Sequence, residues 1–530
     1  MKVAHIPFKN TSFFSKTIID YLEKSEKIAP FYNNFPSLEG FKKQLDSKRK
    51  TFSMNSRKKL VQVLTDQYTT VTVTPKTQVN ITNLALENTF TVTTGHQLNL
   101  FTGPLYFLYK IISTINLCEQ LKEAYPKENF VPIYWMATED HDFEEINYFN
   151  FNGKKVQWNT DQTGAVGRFS TEGLSDVLAV FSEHLGGSKN AQFLKQLFKE
   201  AYIKHNNLAD ATRYIANALF GEYGLVIIDA DERELKREFI PFIETELKTQ
   251  TAYKKVTETI ENLGKNYKIQ VNPREINLFY LIDSVRERII FEDGIYKVLN
   301  TSISWKFDEL ENEVHKFPER FSPNVIMRPL YQEVVLPNLC YIGGGGELAY
   351  WLQLKSYFEA VKVPFPILLL RNSVQIISEK QLGKLNKLTI SLEEIFRKQN
   401  HLLKNKILER TEEKVDFTAQ KEFLKQQFVS LKTLAKKTDV SFIGAVNAQE
   451  KKQLKGLDNL EKRWLRAEKR RNKNLVDRIV LLQNQIVPNQ SLEERQRNFS
   501  EHYLSYGNTL LEQLKKELKP LQLEFTVLIL

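Results

Sequence analysis

The fold is decided by two stretches of the chain, FTVTTGHQLNLFTGPLY at residues 90–106 and VPIYWMATEDHDFEE at residues 131–145. Each contains a β-rich apolar run that stops abruptly at a polar cluster with a histidine. The segment between them, from Leu105 to Lys122, has its apolar residues at helical spacing. Together they predict a βαβ unit, in which a helix joins two parallel strands.

Two later apolar runs extend this unit into a larger sheet. GLVIIDAD at residues 224–231 and PFPILLLRNS at residues 364–373 are short and end in polar residues, which is typical of strands buried on both faces. Helical patterns separate the runs, so we predict an α/β fold with a doubly wound parallel sheet. The long gaps between strands predict insertions at about 150–220 and 245–320. The second contains a predicted β-hairpin at Leu278–Leu299, with Asp293-Gly294 as its turn.

The C-terminal part of the chain has a helical composition with almost no glycine or proline. One heptad pattern runs from Leu424 to Ala445, and a second apolar run from Leu457 to Ile486 suits a partner helix. They predict an antiparallel coiled-coil hairpin whose exposed flank is a dimer interface. We therefore predict a helical segment at 1–85, the sheet core at 86–380, the coiled-coil domain at 381–510, and a segment at 511–530 that returns to the core.

Composition excludes several classes of protein. A chain of 530 residues exceeds the roughly 250–300 at which one core stops growing, so we expect two or three domains. A hydrophobic content of 42% excludes a disordered chain. Two cysteines, Cys118 and Cys340, cannot form a disulfide framework. Without a signal-peptide or membrane-spanning run, we expect a cytoplasmic protein with no membrane partner.

Candidate site residues cluster where the predicted strands end. Since the carboxyl ends of parallel strands share one edge, two sets of residues should meet there. They are Thr94, Gly95, His96 and Gln97 in the first set, and Glu139, Asp140, His141 and Asp142 in the second. His96 is either an acid, a base or a phosphate ligand, or a histidine packed beneath the loop. The carboxylates need a metal, an arginine or an amine substrate as partner, unless they are simply the acidic start of a helix.

Further candidates lie near a glycine run, YIGGGGELAYWLQLK at residues 341–355. Gly343, Gly344, Gly345 and Gly346 allow close approach of a ligand, or form a tight turn before Glu347. The run matches no nucleotide-binding fingerprint. Planar guanidinium groups suit carboxylates and phosphates, so two arginines are further candidates for ligand binding. They are Arg328, with Gln332 near it in sequence, and Arg371, with Asn372 next to it.

These motifs, in this order, resemble a known family. TGHQLNLFTGPLY, VPIYWMATEDHDFEEI, SPNVIMRPLYQEVVLPNLCYIGGGGELAYW and LLRNS, followed by a helical hairpin, are similar to the bacillithiol biosynthesis cysteine-adding enzymes, also called bacillithiol synthases or cysteine ligases. The resemblance spans nearly the whole chain. It implies a Rossmann-like core of the nucleotidyltransferase and class I synthetase type, with connecting insertions and a coiled coil used for homodimerisation.

The resemblance also implies a reaction, in which a ligase joins the carboxyl group of cysteine to the amine of glucosaminyl malate. His96 stands where synthetase-like cores have their HIGH signature, and there it would stabilise a phosphate or developing charge. ATP or ADP is the candidate cofactor, although the chain departs from full HIGH and shows no KMSKS loop. No metal is assigned.

The family resemblance also suggests roles for the polar clusters. Asp140 and Asp142 would hold the amine or the sugar hydroxyls, and His141 or a carboxylate would take the amine proton. Arg328 or Arg371, with the amides of the glycine run, would bind malate.

A rival interpretation is a synthetase-like nucleic-acid-binding protein, or a nucleotidyltransferase, with a coiled-coil arm. The net charge is +10, and the stretch KRWLRAEKRRNK at residues 462–473 is strongly basic. Such a stretch is also typical of the solvated face of a long helix. We therefore expect small-molecule substrates and no nucleic-acid partner.

Overall fold

Five parallel strands form the central sheet in a computed structural model that describes residues 2–411 and 417–530. They are β2 (Thr89–His96), β3 (Asn129–Met136), β6 (Val226–Asp229), β12 (Asn338–Gly343) and β13 (Ile367–Leu370). Every neighbouring pair is parallel. Each apolar run used for the prediction forms one of these strands, and β2, β12 and β13 are buried along their whole length. The predicted α/β fold is confirmed.

The order of the strands across the sheet is β13–β12–β2–β3–β6. The chain enters the sheet at β2, adds β3 and β6 on one side, and then returns to add β12 and β13 on the other. This is the strand order of a Rossmann-type sheet, whose ligand crevice lies at the carboxyl ends of the two strands where the order reverses. Here those strands are β2 and β12, and their carboxyl ends carry Gly95 and Gly343.

Helices cover the sheet and its insertions. The first fifteen are α1 (Lys16–Leu22), α2 (Leu38–Thr51), α3 (Met54–Gln67), α4 (Pro75–Asn83), α5 (Tyr106–Ala124), α6 (Phe143–Ile146), α7 (Leu174–Leu185), α8 (Lys189–Tyr202), α9 (Leu208–Phe220), α10 (Arg233–Thr249), α11 (Thr251–Leu263), α12 (Phe307–Lys316), α13 (Arg328–Val335), α14 (Gly345–Trp351) and α15 (Lys355–Ala360). Helix α5 joins β2 to β3, as the βαβ prediction requires. Its residues from Phe107 to Cys118 are all buried.

Further strands lie in the segments between β3 and β6 and between β6 and β12. A two-stranded ribbon consists of β4 (Tyr148–Phe151) and β5 (Lys154–Gln157). An antiparallel sheet contains β7 (Leu278–Ile282), β8 (Val285–Glu292), β9 (Ile295–Val298), β10 (Ser304–Trp305) and β11 (Phe321–Pro323). Asp293 and Gly294, with φ of 53° and 78°, form the turn between β8 and β9. The predicted hairpin is confirmed and belongs to a larger sheet.

The chain divides into two compact units, Met1–Gln375 with Leu492–Leu528, and Ile376–Ser491 with Ile529–Leu530. The domain borders predicted at 85, 380 and 510 stay predictions, because compactness alone does not define an independently folding domain. No helix in the described ranges has both the length and the apolar character that a membrane span needs.

The C-terminal segment of the first unit contains α21 (Phe499–Tyr506) and α22 (Thr509–Glu517). A three-stranded sheet follows, with β15 (Phe525–Ile529) between β1 (Lys2–Ile6) and β14 (Val374–Ile377). Glu494 connects this segment to the residue that follows β13. Its two carboxylate oxygens accept hydrogen bonds of 2.7 and 3.0 Å from the guanidinium of Arg371. Both side chains are almost fully buried, at 1% and 3% exposure.

The second unit is helical and consists of α16 (Glu379–Lys387), α17 (Gln399–Leu408), α18 (Thr418–Ala435), α19 (Val440–Arg471) and α20 (Lys473–Ile486). Ion pairs of 2.8 Å between Lys421 and Asp458 and of 2.5 Å between Lys432 and Glu450 show that α18 and α19 are antiparallel. The predicted hairpin is confirmed, but the predicted extent of its first helix is wrong. The turn of the hairpin interrupts the first heptad run, because the Asp439 carboxylate accepts the N–H of Phe442 and caps the N-terminus of α19.

Glu494→Gln should destabilise the first unit. The amide keeps the shape of the side chain but leaves the buried guanidinium of Arg371 without a counter-charge, which typically costs about 3–5 kcal/mol. Urea denaturation followed by tryptophan fluorescence would measure the loss. The matched control is Glu23→Gln, which removes the exposed Lys9–Glu23 pair and should change the unfolding free energy by less than about 1 kcal/mol. Equal effects of the two variants would contradict this account.

Candidate active site

A buried ion pair lies at the crevice between β2 and β12. Lys110, from the middle of α5, donates a hydrogen bond of 2.6 Å to the carbonyl of Gly95 at the end of β2. Its ammonium nitrogen lies 2.7 Å from Oε1 of Glu347, which lies in the first turn of α14, just after β12. The Lys110 side chain is 3% exposed and that of Glu347 is 27% exposed. The pair therefore joins the two strands and leaves part of the carboxylate accessible.

Other donors also converge on Glu347. The hydroxyl of Tyr341 donates a hydrogen bond of 2.6 Å to Oε2, and the backbone N–H of Gly344 donates one of 3.2 Å to Oε1. Burial would raise the pKa of this carboxyl, but Lys110 and these donors outweigh it and lower the pKa below the ordinary value. Glu347 is thus held as a carboxylate.

Arg328 brings a positive charge to the same crevice. A Cβ on Gly95 would lie 3.8 Å from its Nη1, so the guanidinium borders the end of β2. Its polar contacts are to neutral groups, a 3.2 Å hydrogen bond to Gln332 and a 3.4 Å one to the hydroxyl of Tyr350. Among the described residues Arg328 forms no ion pair of 4 Å or less. Its charge is consequently available to an anionic ligand.

The glycine run permits close packing next to this crevice. A Cβ on Gly343 would lie 2.9 Å from side-chain atoms of Tyr341 and Leu348, and one on Gly345 would lie 3.2 Å from Ile18. The N–H of Gly344 already binds the Glu347 carboxylate, and Gly346 is exposed. Packing therefore accounts for Gly343 and Gly345, and Glu347 itself occupies the first turn of the helix.

His96 lies at the end of β2 but is buried. Its ring packs against Tyr106 and Phe107, with centroid distances of 5.4 and 5.1 Å. Burial, reinforced by the nearby charge of Lys110, moves the pKa of the imidazole well below its ordinary value despite a hydrogen bond to the backbone of Thr102. The ring is therefore neutral near pH 7. Its Nε2 has no hydrogen-bond partner among the described residues.

The acidic cluster follows β3, which is the neighbour of β2. Gln97 connects the two strand ends, because its side-chain amide donates hydrogen bonds of 3.0 Å to Asp140 and 3.1 Å to Glu145. Nδ1 of His141 lies 2.6 Å from the guanidinium of Arg286 on β8. An arginine can only donate, so this nitrogen accepts and His141 is neutral in this arrangement. Asp142 is exposed.

Glu139 differs from the other acids of the cluster because it is buried. It forms an ion pair with Lys236 of α10, whose ammonium also donates a 2.8 Å hydrogen bond to the carbonyl of Phe321. Burial raises the pKa of Glu139, and Lys236 opposes that shift. The cations that serve this cluster are therefore Lys236 and Arg286, and both come from the segments between β6 and β12.

Other predicted site residues form internal hydrogen bonds that stabilise the crevice. Thr94 donates a 2.8 Å hydrogen bond to the carbonyl of Ile342 and so ties β2 to β12. Asn372 accepts from Ser113 on α5 at 3.0 Å and donates to the carbonyl of Lys519 at 3.1 Å. Arg371 is paired with Glu494, as described above. These contacts are internal to the first unit.

One group of residues in the described part of the chain has metal-ligand geometry. The potential ligand atoms of Asp140, His141 and Asp142 all lie within 4.8 Å of one another. His141 and Asp142 are exposed, and the guanidinium of Arg286 beside His141 disfavours a second cation there. The arrangement gives no reason to assign a metal.

Two family models match consecutive parts of the chain. The N-terminal Rossmann-like domain of bacillithiol biosynthesis BshC matches residues 1–372, and the C-terminal coiled-coil domain of BshC matches residues 374–530. The chain belongs to the BshC family. The family resemblance inferred from the motifs is therefore confirmed.

Curated BshC relatives cover nearly the whole chain. Proteins named "Putative cysteine ligase BshC" from Christiangramia forsetii and Flavobacterium johnsoniae are each 56% identical to it, covering 99% of this chain and 98% and 99% of their own lengths. One from Bacillus cereus is 27% identical over 94% of this chain and 95% of its own. A solved structure titled "putative arginyl t-RNA synthetase", from Campylobacter jejuni, matches at 11% identity over 84% of this chain and 98% of its own, with a TM-score of 0.21, too low to support an argument. The curated BshC relatives favour the ligase over the nucleic-acid-binding alternative.

Sequence reasoning missed several residues of the crevice. Lys110 stands alone among apolar residues in FLYKIIST, and a single charge at a buried helical position was the signal that could have identified it. Tyr341 and Tyr350 carried no such signal, because aromatic residues beside a glycine run are common in cores. Arg286 and Lys236 lie far from the motifs in sequence, and only the folded insertions bring them to the acidic cluster.

Replacing His96 should change how stability depends on pH. The folded-state pKa of His96 lies below its unfolded value of about 6.5, so the unfolded state binds the extra proton and stability falls as the pH drops below 6.5. Between pH 7.5 and 5.5, wild type should lose about 1.4 kcal/mol more than His96→Gln. Urea denaturation at both pH values measures this, with the exposed His184→Gln as control. Identical pH dependence of wild type and His96→Gln would show that His96 is not buried as a neutral ring.

Proposed function

We propose that this BshC protein is a ligase of bacillithiol biosynthesis that joins the carboxyl group of cysteine to the amine of glucosaminyl malate. Family membership over the whole chain and the names of the curated relatives support the reaction. The observation that carries the assignment of the site is the set of charges at the strand-order reversal, where Glu347 is paired with Lys110 and Arg328 lacks a carboxylate partner. A crevice with such an arginine suits a substrate that carries carboxylate groups.

We propose that Arg328 binds a carboxylate of the malate moiety. The malate carries two carboxylates, and a guanidinium can hold one through two parallel hydrogen bonds. Arg371, the other candidate from the sequence, already uses its Nη atoms for Glu494. Arg328 is therefore the better candidate of the two.

Glu347 is proposed to border the bound substrate and to hold Lys110 and Tyr341 in place. Its side chain remains 27% exposed beside Arg328, and its charge is offset by Lys110. On the β3 side of the crevice, Asp140 and Asp142 are proposed to hold the amine or hydroxyls of glucosamine. One of these carboxylates, or His141 once its Nδ1 is released from Arg286, would take the proton that the amine releases when it attacks.

Amide formation from a free carboxylate needs an activated acyl group, so we propose ATP as the activating cosubstrate. The amine then displaces the activating group from the acyl carbon, and the nitrogen loses one proton. His96 was expected to contact a phosphate, but its burial favours an indirect role at the end of β2. We also propose a cytoplasmic location, which the two buried, unpaired cysteines support.

Reconstitution tests the reaction and the site together. Purified protein with cysteine, glucosaminyl malate and ATP should form bacillithiol, detected by thiol labelling and mass spectrometry, with ADP or AMP released in equal amount. Arg328→Gln should raise KM for glucosaminyl malate about 10- to 100-fold, since hydrogen bonds to charged groups contribute roughly 1.5–3 kcal/mol. The KM for cysteine should change little.

Arg320→Gln is the matched control, because Arg320 is paired with Glu313 at 2.6 Å in the antiparallel sheet region. It should leave both KM values unchanged. A normal KM for glucosaminyl malate in Arg328→Gln would refute the role of Arg328. Absence of bacillithiol under every nucleotide condition would refute the proposed reaction itself.

We further propose that the hairpin of the second unit binds a second copy of the chain. Phe423, on α18, is 63% exposed and Leu460, on α19, is 51% exposed, and both line an apolar groove with Leu424 and Leu457. Apolar seams of several heptads usually bury this surface against another helix.

Aspartate at this groove should prevent dimerisation. Phe423→Asp with Leu460→Asp should convert a dimer into a monomer in light scattering after size-exclusion chromatography, because two charges would be buried in the apolar interface. Val79→Asp, at a 56% exposed apolar position of the first unit, is the control and should remain dimeric. A monomeric wild-type protein, or a variant that still dimerises, would contradict the proposed interface.

A further inference from the structure

A small cavity lies beneath the end of β2, on the side that faces β3 and α9. Five buried side-chain atoms that line it have no hydrogen-bond partner in the described part of the chain. They are His96 Nε2, Asn99 Oδ1, Thr102 Oγ1, Tyr134 Oη and Thr212 Oγ1. Such atoms are uncommon in native proteins, and their gathering around one cavity indicates a shared partner.

Five unsatisfied polar atoms would destabilise the fold severely. Each buried polar atom without a partner costs about 1–3 kcal/mol. Five together would cost an amount comparable with the whole stability of a typical domain, which is about 5–15 kcal/mol. A bound molecule that satisfies several of them removes most of this cost.

The size of the cavity limits its occupant to one small molecule. The centre of a water molecule can move through about 10 Å³ of it, which is close to the roughly 10–15 Å³ that a single buried water needs. An amino acid, a sugar or a nucleotide is far too large.

The chemistry of the lining selects among small molecules. His96 is neutral and uses its other ring nitrogen for a hydrogen bond to the backbone of Thr102, so Nε2 presents a lone pair. Asn99 donates through Nδ2 to the carbonyl of Glu145 at 3.3 Å, which leaves Oδ1 as a second acceptor. The hydroxyls of Tyr134 and Thr212 can donate. The occupant must therefore both donate and accept, as water does and a chloride ion or metal cation does not.

We propose that this cavity binds one ordered water molecule that joins the end of β2 to β3, to α9 and to the turn at residues 97–104. The water donates to His96 Nε2 and Asn99 Oδ1 and accepts from Tyr134 and Thr212. His96 then acts as a positioning residue, which fixes the turn carrying Gln97 rather than transferring a proton to substrate. Gln97 in turn orients Asp140 through its 3.0 Å hydrogen bond.

Removing one hydroxyl at a time tests the proposal through the sign of its effect. If a water is bound, Tyr134→Phe and Thr212→Val each remove one of its partners and should lower the midpoint of urea denaturation. If the hydroxyls are unsatisfied, the same substitutions remove a buried polar atom without a partner and should raise the midpoint. Neither measurement depends on catalytic activity, so failure of the proposed reaction would not affect this test.

The double variant adds a second criterion. Tyr134 and Thr212 act on the same water, so the loss of stability in the double variant should be clearly smaller than the sum of the two single losses. Tyr109→Phe is the matched control, because its hydroxyl is also buried without a partner in the described residues but lies outside this cavity. It should leave the midpoint unchanged or raise it.

A crystal structure at better than about 2 Å resolution gives the direct observation. Density for a water within hydrogen-bond distance of His96 Nε2 and Tyr134 Oη, together with the two stability losses, supports the proposal. A cavity without density, a rise in midpoint for either variant, or fully additive losses would overturn it.

Discussion

The reversal of strand order between β2 and β12 is the constraint on which the site depends. The chain builds β3 and β6 on one side of β2 and β12 and β13 on the other, so the connections leave the carboxyl ends of β2 and β12 in different directions. The crevice between them is where Lys110, Glu347 and Arg328 converge. The acidic cluster after β3 lies one strand away and is connected to β2 through Gln97.

Burying charged groups in this crevice costs desolvation free energy, which other contacts must offset. Removing a lysine and a glutamate from water costs several kcal/mol for each ion, which the attraction between Lys110 and Glu347 offsets only with further hydrogen bonds. Tyr341 and the Gly344 amide supply those bonds to the carboxylate, and the Gly95 carbonyl supplies one to the ammonium. Arg328 has only neutral partners within hydrogen-bond distance. A half-buried charge whose hydrogen-bond partners are all neutral is the kind of group that a charged substrate can complete.

Much of the fold followed from periodicity and from strand-end chemistry. The βαβ unit, the parallel strands, the Asp293-Gly294 turn and the helical hairpin could be predicted because each depends on local residue patterns. The interrupted heptad run could not, since apolar spacing continues through the turn and only the capping interaction of Asp439 marks it. In the candidate site, Glu347 and Arg328 were identified from their positions near the glycine run. Lys110 was missed although its single charge among apolar helical positions was a local signal. Arg286 and Lys236 were missed because their roles depend on contacts between segments distant in sequence, which periodicity does not encode.

The central claim is that substrate binds in the crevice at the strand-order reversal, and a crystal structure with glucosaminyl malate tests it most directly. The account predicts a malate carboxylate within hydrogen-bond distance of the Arg328 guanidinium, next to Gly95 and Glu347. Glucosaminyl malate bound at another surface, with Arg328 retaining only its contacts to Gln332 and Tyr350, would contradict it.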